Sequence, residues 1–107
     1  MPYVVEISPS ARREIDESLA WLRRYSETSA VRWRDRLLAQ GALLSENPLR
    51  FPLADEADEL GIELRELTFG KRKQTYRVLF TVTGNVVRIH HLRHSSRDSL
   101  RPKEFEG

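Results

Sequence analysis

The sequence predicts an α+β domain in which a helical hairpin packs on one face of a small, mostly antiparallel sheet. Two patterns support this prediction: apolar residues recur every 3.6 positions through most of residues 9–46, and polar and apolar residues alternate in residues 75–83. The expected order of elements is β-α-α-β-β-β. Because 107 residues bury only one modest core, we expect a single domain over residues 1–107.

The N-terminal half should contain one strand and two helices. After a β-branched strand at residues 3–7, Ser8 is a suitable N-cap and Pro9 a suitable first helical residue. A polar break at residues 26–29 precedes a second helix from about residue 30 to residue 46, which Asn47-Pro48 ends. Gly41 should allow close approach of the two helices, at a cost of about 1 kcal/mol relative to Ala. The acidic residues 49–61 should form a mobile surface loop, and residues 62–69 a strand.

A β-hairpin at residues 75–92 should organise the sheet. Gly84-Asn85 is a two-residue turn sequence that sets the register of the two strands. Three pairs then lie on the apolar face: Val82 with Val87, Phe80 with Ile89, and Val78 with His91. The opposite face carries the pairs Thr81 with Arg88, Leu79 with His90, Arg77 with Leu92, and Thr75 with His94. This register predicts an apolar face under the helices and a cationic face left open to solvent or to a partner.

Charge is distributed unevenly along the chain. The net charge is only +2, but residues 71–103 contain nine Lys or Arg and one Asp, a local balance of +8. A concentration of arginines suits binding of nucleic acid or of an acidic protein. The sequence has no cysteine, no long apolar run and no signal-peptide pattern, so we expect a cytoplasmic protein without disulfides. His90 and His94 have no third ligand at suitable spacing and therefore make a poor metal site. We expect neither a metal nor a cofactor.

Several short motifs, taken in order, resemble the RelE/ParE superfamily of bacterial type II toxins. These motifs are SPSARREID at the first helix, ENPLRFP after the second, then ELRELTFG, YRVLF and RHSSRD. The resemblance implies a toxin that a cognate antitoxin neutralises. It also implies one of two targets, because members either cleave messenger RNA on the ribosome or poison DNA gyrase. The long helical hairpin is more similar to the gyrase-directed branch.

The endonuclease alternative would need groups that transfer protons and cations that bind the scissile phosphate. By resemblance, Arg77 and Arg97 would bind the phosphate, while His90 or His94 would act as the acid or base. Many endonucleases of the superfamily have a tyrosine near the C-terminus, whereas the tyrosines here are Tyr3, Tyr25 and Tyr76. This difference favours the gyrase poison.

The remaining functional surfaces follow from the cationic face and the arginine-rich C-terminal residues. For a gyrase poison, we expect four arginines to bind the target: Arg88, Arg93, Arg97 and Arg101. We expect the antitoxin to contact the helical hairpin and the open face of the sheet, with Leu79 and Leu92 as apolar anchors among Arg77 and Arg88. A non-toxic nucleic-acid-binding module is a further alternative.

Overall fold

The computed structural model describes residues 2–72 and 74–95, and these residues follow the predicted order of elements. The N-terminal half contains β1 (Val4–Ile7), α1 (Pro9–Arg23) and α2 (Glu27–Glu46). A 3₁₀ turn (Pro48–Arg50) and a short helix α3 (Ala57–Leu60) lead to β2 (Arg65–Lys71), β3 (Gln74–Thr83) and β4 (Val86–His94). The predicted α+β class is confirmed. None of the described helices is both long and apolar enough to span a bilayer.

The strands form a mixed sheet in the order β1-β4-β3-β2. β1 is parallel to β4, and the other two pairings are antiparallel. The two long helices cover one face of this sheet. Their apolar side chains and those of the strands share a buried core, which includes Ala11, Trp33, Leu44, Leu67, Val78, Phe80, Val87, Ile89 and Leu92. Each large side chain buried in this way contributes about 1.5–3 kcal/mol.

Both helices begin after a serine N-cap, and Ser8 is the one that the sequence predicts. The Ser8 hydroxyl accepts a hydrogen bond from Ala11 N at 3.1 Å, and Pro9 is the first residue of α1. Ser26 caps α2 in the same way by accepting from Ser29 N at 3.2 Å. Because Ser26 is the N-cap, α2 begins at Glu27 rather than near residue 30.

Gly41 has a different role from the predicted one. A Cβ atom built on Gly41 would meet nothing within 4 Å, so the residue does not bring the two helices into close contact. Gly in a helix interior still costs about 1 kcal/mol relative to Ala. No contact among the described residues offsets this cost.

The acidic segment after α2 is packed against the sheet, so the prediction of a mobile surface loop is wrong. Ala54, Ala57 and Leu64 form a second buried cluster with Leu79 of β3. Ala54 N donates to Leu64 O at 2.8 Å, which closes the segment on itself. The sheet face that the sequence left open to solvent is therefore partly covered. The prediction failed because the acidic residues suggested an exposed segment. The small apolar residues between them make the packing contacts.

The predicted hairpin register is correct only near the turn. Val82 pairs with Val87, Thr81 with Arg88, and Phe80 with Ile89, as predicted. The register then shifts, with Leu79 opposite His91, so that His90 is the extra residue of a β-bulge. The remaining pairs are Val78 with Leu92, Arg77 with Arg93, and Tyr76 with His94. The four predicted pairings beyond the bulge are therefore wrong: Val78 with His91, Leu79 with His90, Arg77 with Leu92, and Thr75 with His94.

Contacts from the start of α1 hold the strand at this bulge. β1 pairs with β4 only as far as Ile89, so the rest of that β4 edge needs other hydrogen-bond partners. Ser8 supplies two of them: its N donates to Ile89 O at 2.9 Å, and its hydroxyl donates to His90 O at 2.9 Å. Glu14 supplies the next by accepting from Leu92 N at 3.0 Å. The bulge thus depends on contacts with residues about 80 positions earlier in the sequence.

Glu14 also holds two side chains of β4. Its carboxylate lies 3.1 Å from His91 Nδ1 and 3.3 Å from Arg93 Nε. We expect Glu14→Ala to lower the free energy of unfolding by about 3 kcal/mol, because a buried guanidinium would lose its carboxylate and Leu92 N its acceptor. Urea denaturation at pH 7 measures this change. Glu17→Ala, at an exposed position of the same helix, is the matched control and should change stability by less than about 0.5 kcal/mol. Equal effects of the two substitutions would contradict the role given to Glu14.

Candidate functional site

Arg77 lies at the centre of the sheet face opposite α1 and α2. Its Nη2 donates to Glu56 Oε1 at 2.7 Å, and its Nε donates to Glu66 Oε1. Burial alone would lower the pKa of Arg77, but hydrogen bonds and charge from the two carboxylates outweigh it and raise that pKa. The guanidinium is therefore charged and already bound to two anions. Nε and Nη2 of Arg77 are occupied by carboxylates, whose negative charges oppose a phosphate beside them. This arrangement disfavours the predicted catalytic role.

His90 lies in the bulge on this same face. Its Nε2 is 2.8 Å from Thr81 Oγ1, and only 4% of the residue is exposed. Burial lowers the pKa of His90 to about 4, with further contributions from the charges of Arg88 and His91. His90 is neutral at pH 7. A group with this pKa is a weak general base and carries almost no proton to donate at neutral pH.

His94 lies on the opposite face of the sheet from His90. It pairs with Tyr76, whose ring packs among the core residues under the helices, and the two ring centroids are 5.0 Å apart. The prediction that His90 and His94 share the open face with Arg77 is therefore wrong. The extra residue at the bulge reverses the side on which every later residue of β4 points.

The predicted antitoxin anchors are buried within the fold. Leu79 is 0% exposed and Leu92 is 4% exposed, so the expectation that they project from the open face is wrong. Residues 53–64 cover Leu79, and the bulge turns Leu92 into the core under the helices. Neither side chain is accessible to another protein without local unfolding.

The four arginines predicted to bind the target lie in different environments. Arg88 is partly exposed, with Nη1 at 3.7 Å from Glu6 Oε1. Arg93 is 5% exposed and adjoins Glu14, so its guanidinium is held inside the protein. Arg97 and Arg101 lie outside the described residues. Of the described members, Arg88 alone remains accessible to a target.

The sequence and fold can now be compared with known proteins. Residues 5–99 match the family model described as "ParE toxin of type II toxin-antitoxin system, parDE". The chain belongs to this family. Among solved structures, this ParE-family chain is similar to the toxin-antitoxin complex RelBE2 from Mycobacterium tuberculosis, with 22% identity and a TM-score of 0.54. That match covers 88% of this chain and 99% of the other. No curated protein matches the chain.

An apolar groove on this ParE-family chain was not predicted from the sequence. It has a volume of about 430 Å³ and lies between the helices and β1, lined by residues that include Val5, Ile7, Ile15, Leu37, Leu38, Gly41 and Leu44. Ile7 is 39% exposed and Leu38 is 66% exposed. The sequence contained one indication of this groove. Leu38 is a large apolar residue of α2 that does not belong to the 3.6-residue apolar repeat. The absence of a side chain at Gly41 keeps this part of the groove open.

The depressed pKa of His90 makes stability depend on pH. In the unfolded chain a histidine titrates near pH 6.5, so below that pH the unfolded state binds a proton that folded His90 excludes until about pH 4. The contribution of neutral His90 is complete above pH 6.5 and is lost as the pH falls towards 4. We expect a slope of up to about 1.4 kcal/mol per pH unit in this window. Urea denaturation from pH 7 to pH 4.5 should show a steeper loss for the unsubstituted protein than for His90→Gln. Parallel curves for the two proteins would contradict the assigned pKa.

Proposed function

We propose that this member of the ParE toxin family inhibits growth by poisoning DNA gyrase and does not cleave messenger RNA. The observation that carries the proposal is the arrangement of the candidate catalytic side chains. The two histidines available for proton transfer lie on opposite faces of the sheet, and His90 is neutral and bonded to Thr81. Arg77 is already bound to Glu56 and Glu66.

Ribonuclease chemistry would require these groups to act together. Attack by a ribose 2′-hydroxyl needs a base near that hydroxyl, an acid near the leaving oxygen and a cation at the phosphate. The acid and the base must both reach one phosphate. The placement of His90 and His94 on opposite faces of the sheet opposes this requirement. A poison that acts by binding requires no proton transfer of its own. The described side chains therefore favour binding over cleavage.

The cognate antitoxin, in this proposal, packs an apolar segment into the groove beside Gly41. Leu38, which is exposed, and Gly41, which has no side chain, lie together in this groove. Both are unfavourable for the isolated chain. An amphipathic helix or an extended segment with apolar side chains would cover them. This surface replaces the predicted one at Leu79 and Leu92, which are buried. Arg88, a partly exposed residue of the interior strand β4, remains available for electrostatic attraction of an acidic partner.

The choice of target is tested with purified protein and two substituted forms, His90→Gln and His94→Gln. We expect expression without the antitoxin to arrest bacterial growth, and the purified protein to inhibit supercoiling by gyrase. Both substitutions should leave gyrase inhibition within about twofold, because neither histidine would transfer a proton. A loss of an acid or base in an endonuclease would instead cost about 10²–10⁴ in cleavage rate. Codon-positioned cleavage of ribosome-bound messenger, without any effect on gyrase, would overturn the proposal.

The antitoxin surface is tested with Gly41→Leu. The added side chain would fill the groove, so we expect at least a tenfold loss of antitoxin affinity in isothermal titration calorimetry. The isolated chain should be stabilised by roughly 1 kcal/mol, since Leu is a better helix former than Gly. Ala42→Leu is the matched control, because residue 42 is an exposed position of the same helix outside the groove. Unchanged affinity of Gly41→Leu, with the fold intact, would exclude the groove as the antitoxin surface.

A further inference from the structure

A second concave surface lies at the other end of the helical hairpin. It is formed by the end of α1, the first half of α2 and the turn between β2 and β3, and its volume is about 370 Å³. Seven of its lining residues are aromatic or cationic: Trp21, Tyr25, Arg32, Trp33, Arg36, Phe69 and Tyr76. None of its lining residues is acidic. We refer to this surface as the aromatic hollow.

The aromatic hollow contains a buried donor that lacks an acceptor. Trp33 is only 6% exposed, and its Nε1–H has no hydrogen-bond acceptor among the described residues. The indole ring itself is well packed, with its centroid 5.2 Å from that of Tyr76 and 6.1 Å from that of Phe69. Leaving such a donor unsatisfied costs about 1–3 kcal/mol. Because Nε1 is itself buried, an acceptor from a bound molecule would satisfy it only after the lining side chains shift.

Two arginines give the aromatic hollow a positive charge. Arg32 and Arg36 are four residues apart on α2 and therefore project from the same side of the helix. Both are exposed, and no carboxylate of the described chain lies within ion-pair distance of either. Arg23 and Arg34, on the same two helices, lie near Glu27 and Asp35 respectively. The lining arginines are thus available for an anion.

An exposed aromatic pair completes the lining. Trp21 is 47% exposed and Tyr25 is 73% exposed, and their ring centroids are 4.8 Å apart. Trp, Tyr and Arg are the residue types that dominate binding energy in protein interfaces. Exposed aromatic rings beside unpaired guanidinium groups indicate a surface that is covered in a complex.

We propose that the aromatic hollow binds an acidic peptide segment of a protein partner. An apolar side chain of the segment fills the hollow beside Trp21 and Tyr25. The lining side chains shift so that a carbonyl oxygen of the segment accepts from Trp33 Nε1–H, and flanking carboxylates pair with Arg32 and Arg36. The proposal does not depend on toxicity or on the identity of the target.

The geometry favours a peptide over single-stranded nucleic acid. Proteins that bind single strands stack successive bases on several aromatic platforms along a cationic groove. Here Trp21 and Tyr25 pack on each other and form one platform, and the two lining arginines lie within one helical turn. This arrangement suits one anchoring side chain with its neighbouring carboxylates.

The test uses a blocked peptide of sequence EELFEE and protein labelled with ¹⁵N. The chain has two tryptophans, so its indole N–H region contains two signals, which Trp21→Phe and Trp33→Phe assign. We expect the Trp33 signal to move downfield on addition of the peptide, as its N–H gains an acceptor. The peptides EEAAEE and QQLFQQ should each bind at least tenfold more weakly. Arg32→Gln and Arg36→Gln should weaken binding of EELFEE about tenfold, whereas Arg34→Gln, outside the hollow, should not.

Three results would overturn the proposal. The first is an unmoved Trp33 signal at 2 mM EELFEE in protein whose other signals show an intact fold. The second is tighter binding by an eight-nucleotide oligothymidine than by EELFEE, which would assign the hollow to nucleic acid. The third concerns Glu104-Phe105-Glu106, which has the same chemistry as the peptide but lies outside the described residues. Movement of the Trp33 signal in Phe105→Ala without added peptide would assign the hollow to the chain's own C-terminal residues.

Discussion

The hydrogen bonds between the start of α1 and the edge of β4 determine most of the remaining structure. β1 is too short to pair with all of β4, so the edge beyond Ile89 would expose unpaired backbone groups. Ser8 and Glu14 bind that edge, and His90 is extruded as a bulge between them. The bulge then decides which face receives each of the last residues of β4. Leu92 enters the core, and Arg93 turns to the opposite face beside Glu14.

A second constraint is the pairing of Arg77 with Glu56 and Glu66. Glu56 belongs to the segment before α3, so this ion pair attaches the acidic segment to the middle of the sheet. A buried guanidinium requires such partners, and removing one carboxylate would leave an uncompensated charge. The same contact removes the most central arginine from the list of residues free to bind a ligand. The contact that fixes the acidic segment on the sheet thus also places two negative charges beside Arg77.

Local sequence was sufficient to predict the order of elements, the N-cap of α1 and the register beside Gly84-Asn85. Each of these depends on residues that are close together in the chain, and Gly84 adopts the positive φ of 59° that its turn position suggested. The bulge at His90 was missed although the alternation of polar and apolar residues breaks there, at the adjacent His90 and His91. The contacts that hold it come from Ser8 and Glu14, far away in the sequence. The burial of Glu56 was hidden for the same reason, since its partner Arg77 is 21 positions away. The errors at Leu79, Leu92, Arg93 and His94 all follow from these two long-range contacts.

These constraints leave the helices, and not the sheet, with the larger share of exposed apolar side chains. On the sheet face opposite the helices, most charged side chains are already paired with one another, and residues 53–64 cover the apolar ones. The apolar side chains that remain exposed on the helical hairpin include Trp21 of α1, Tyr25 of the turn and Leu38 of α2. They lie in two separate concavities, one apolar beside Gly41 and one aromatic and cationic around Trp33. Because the two differ in charge and in shape, the ligand segments proposed for them also differ. In this proposal the helical hairpin carries both binding surfaces, and the sheet is its rigid support.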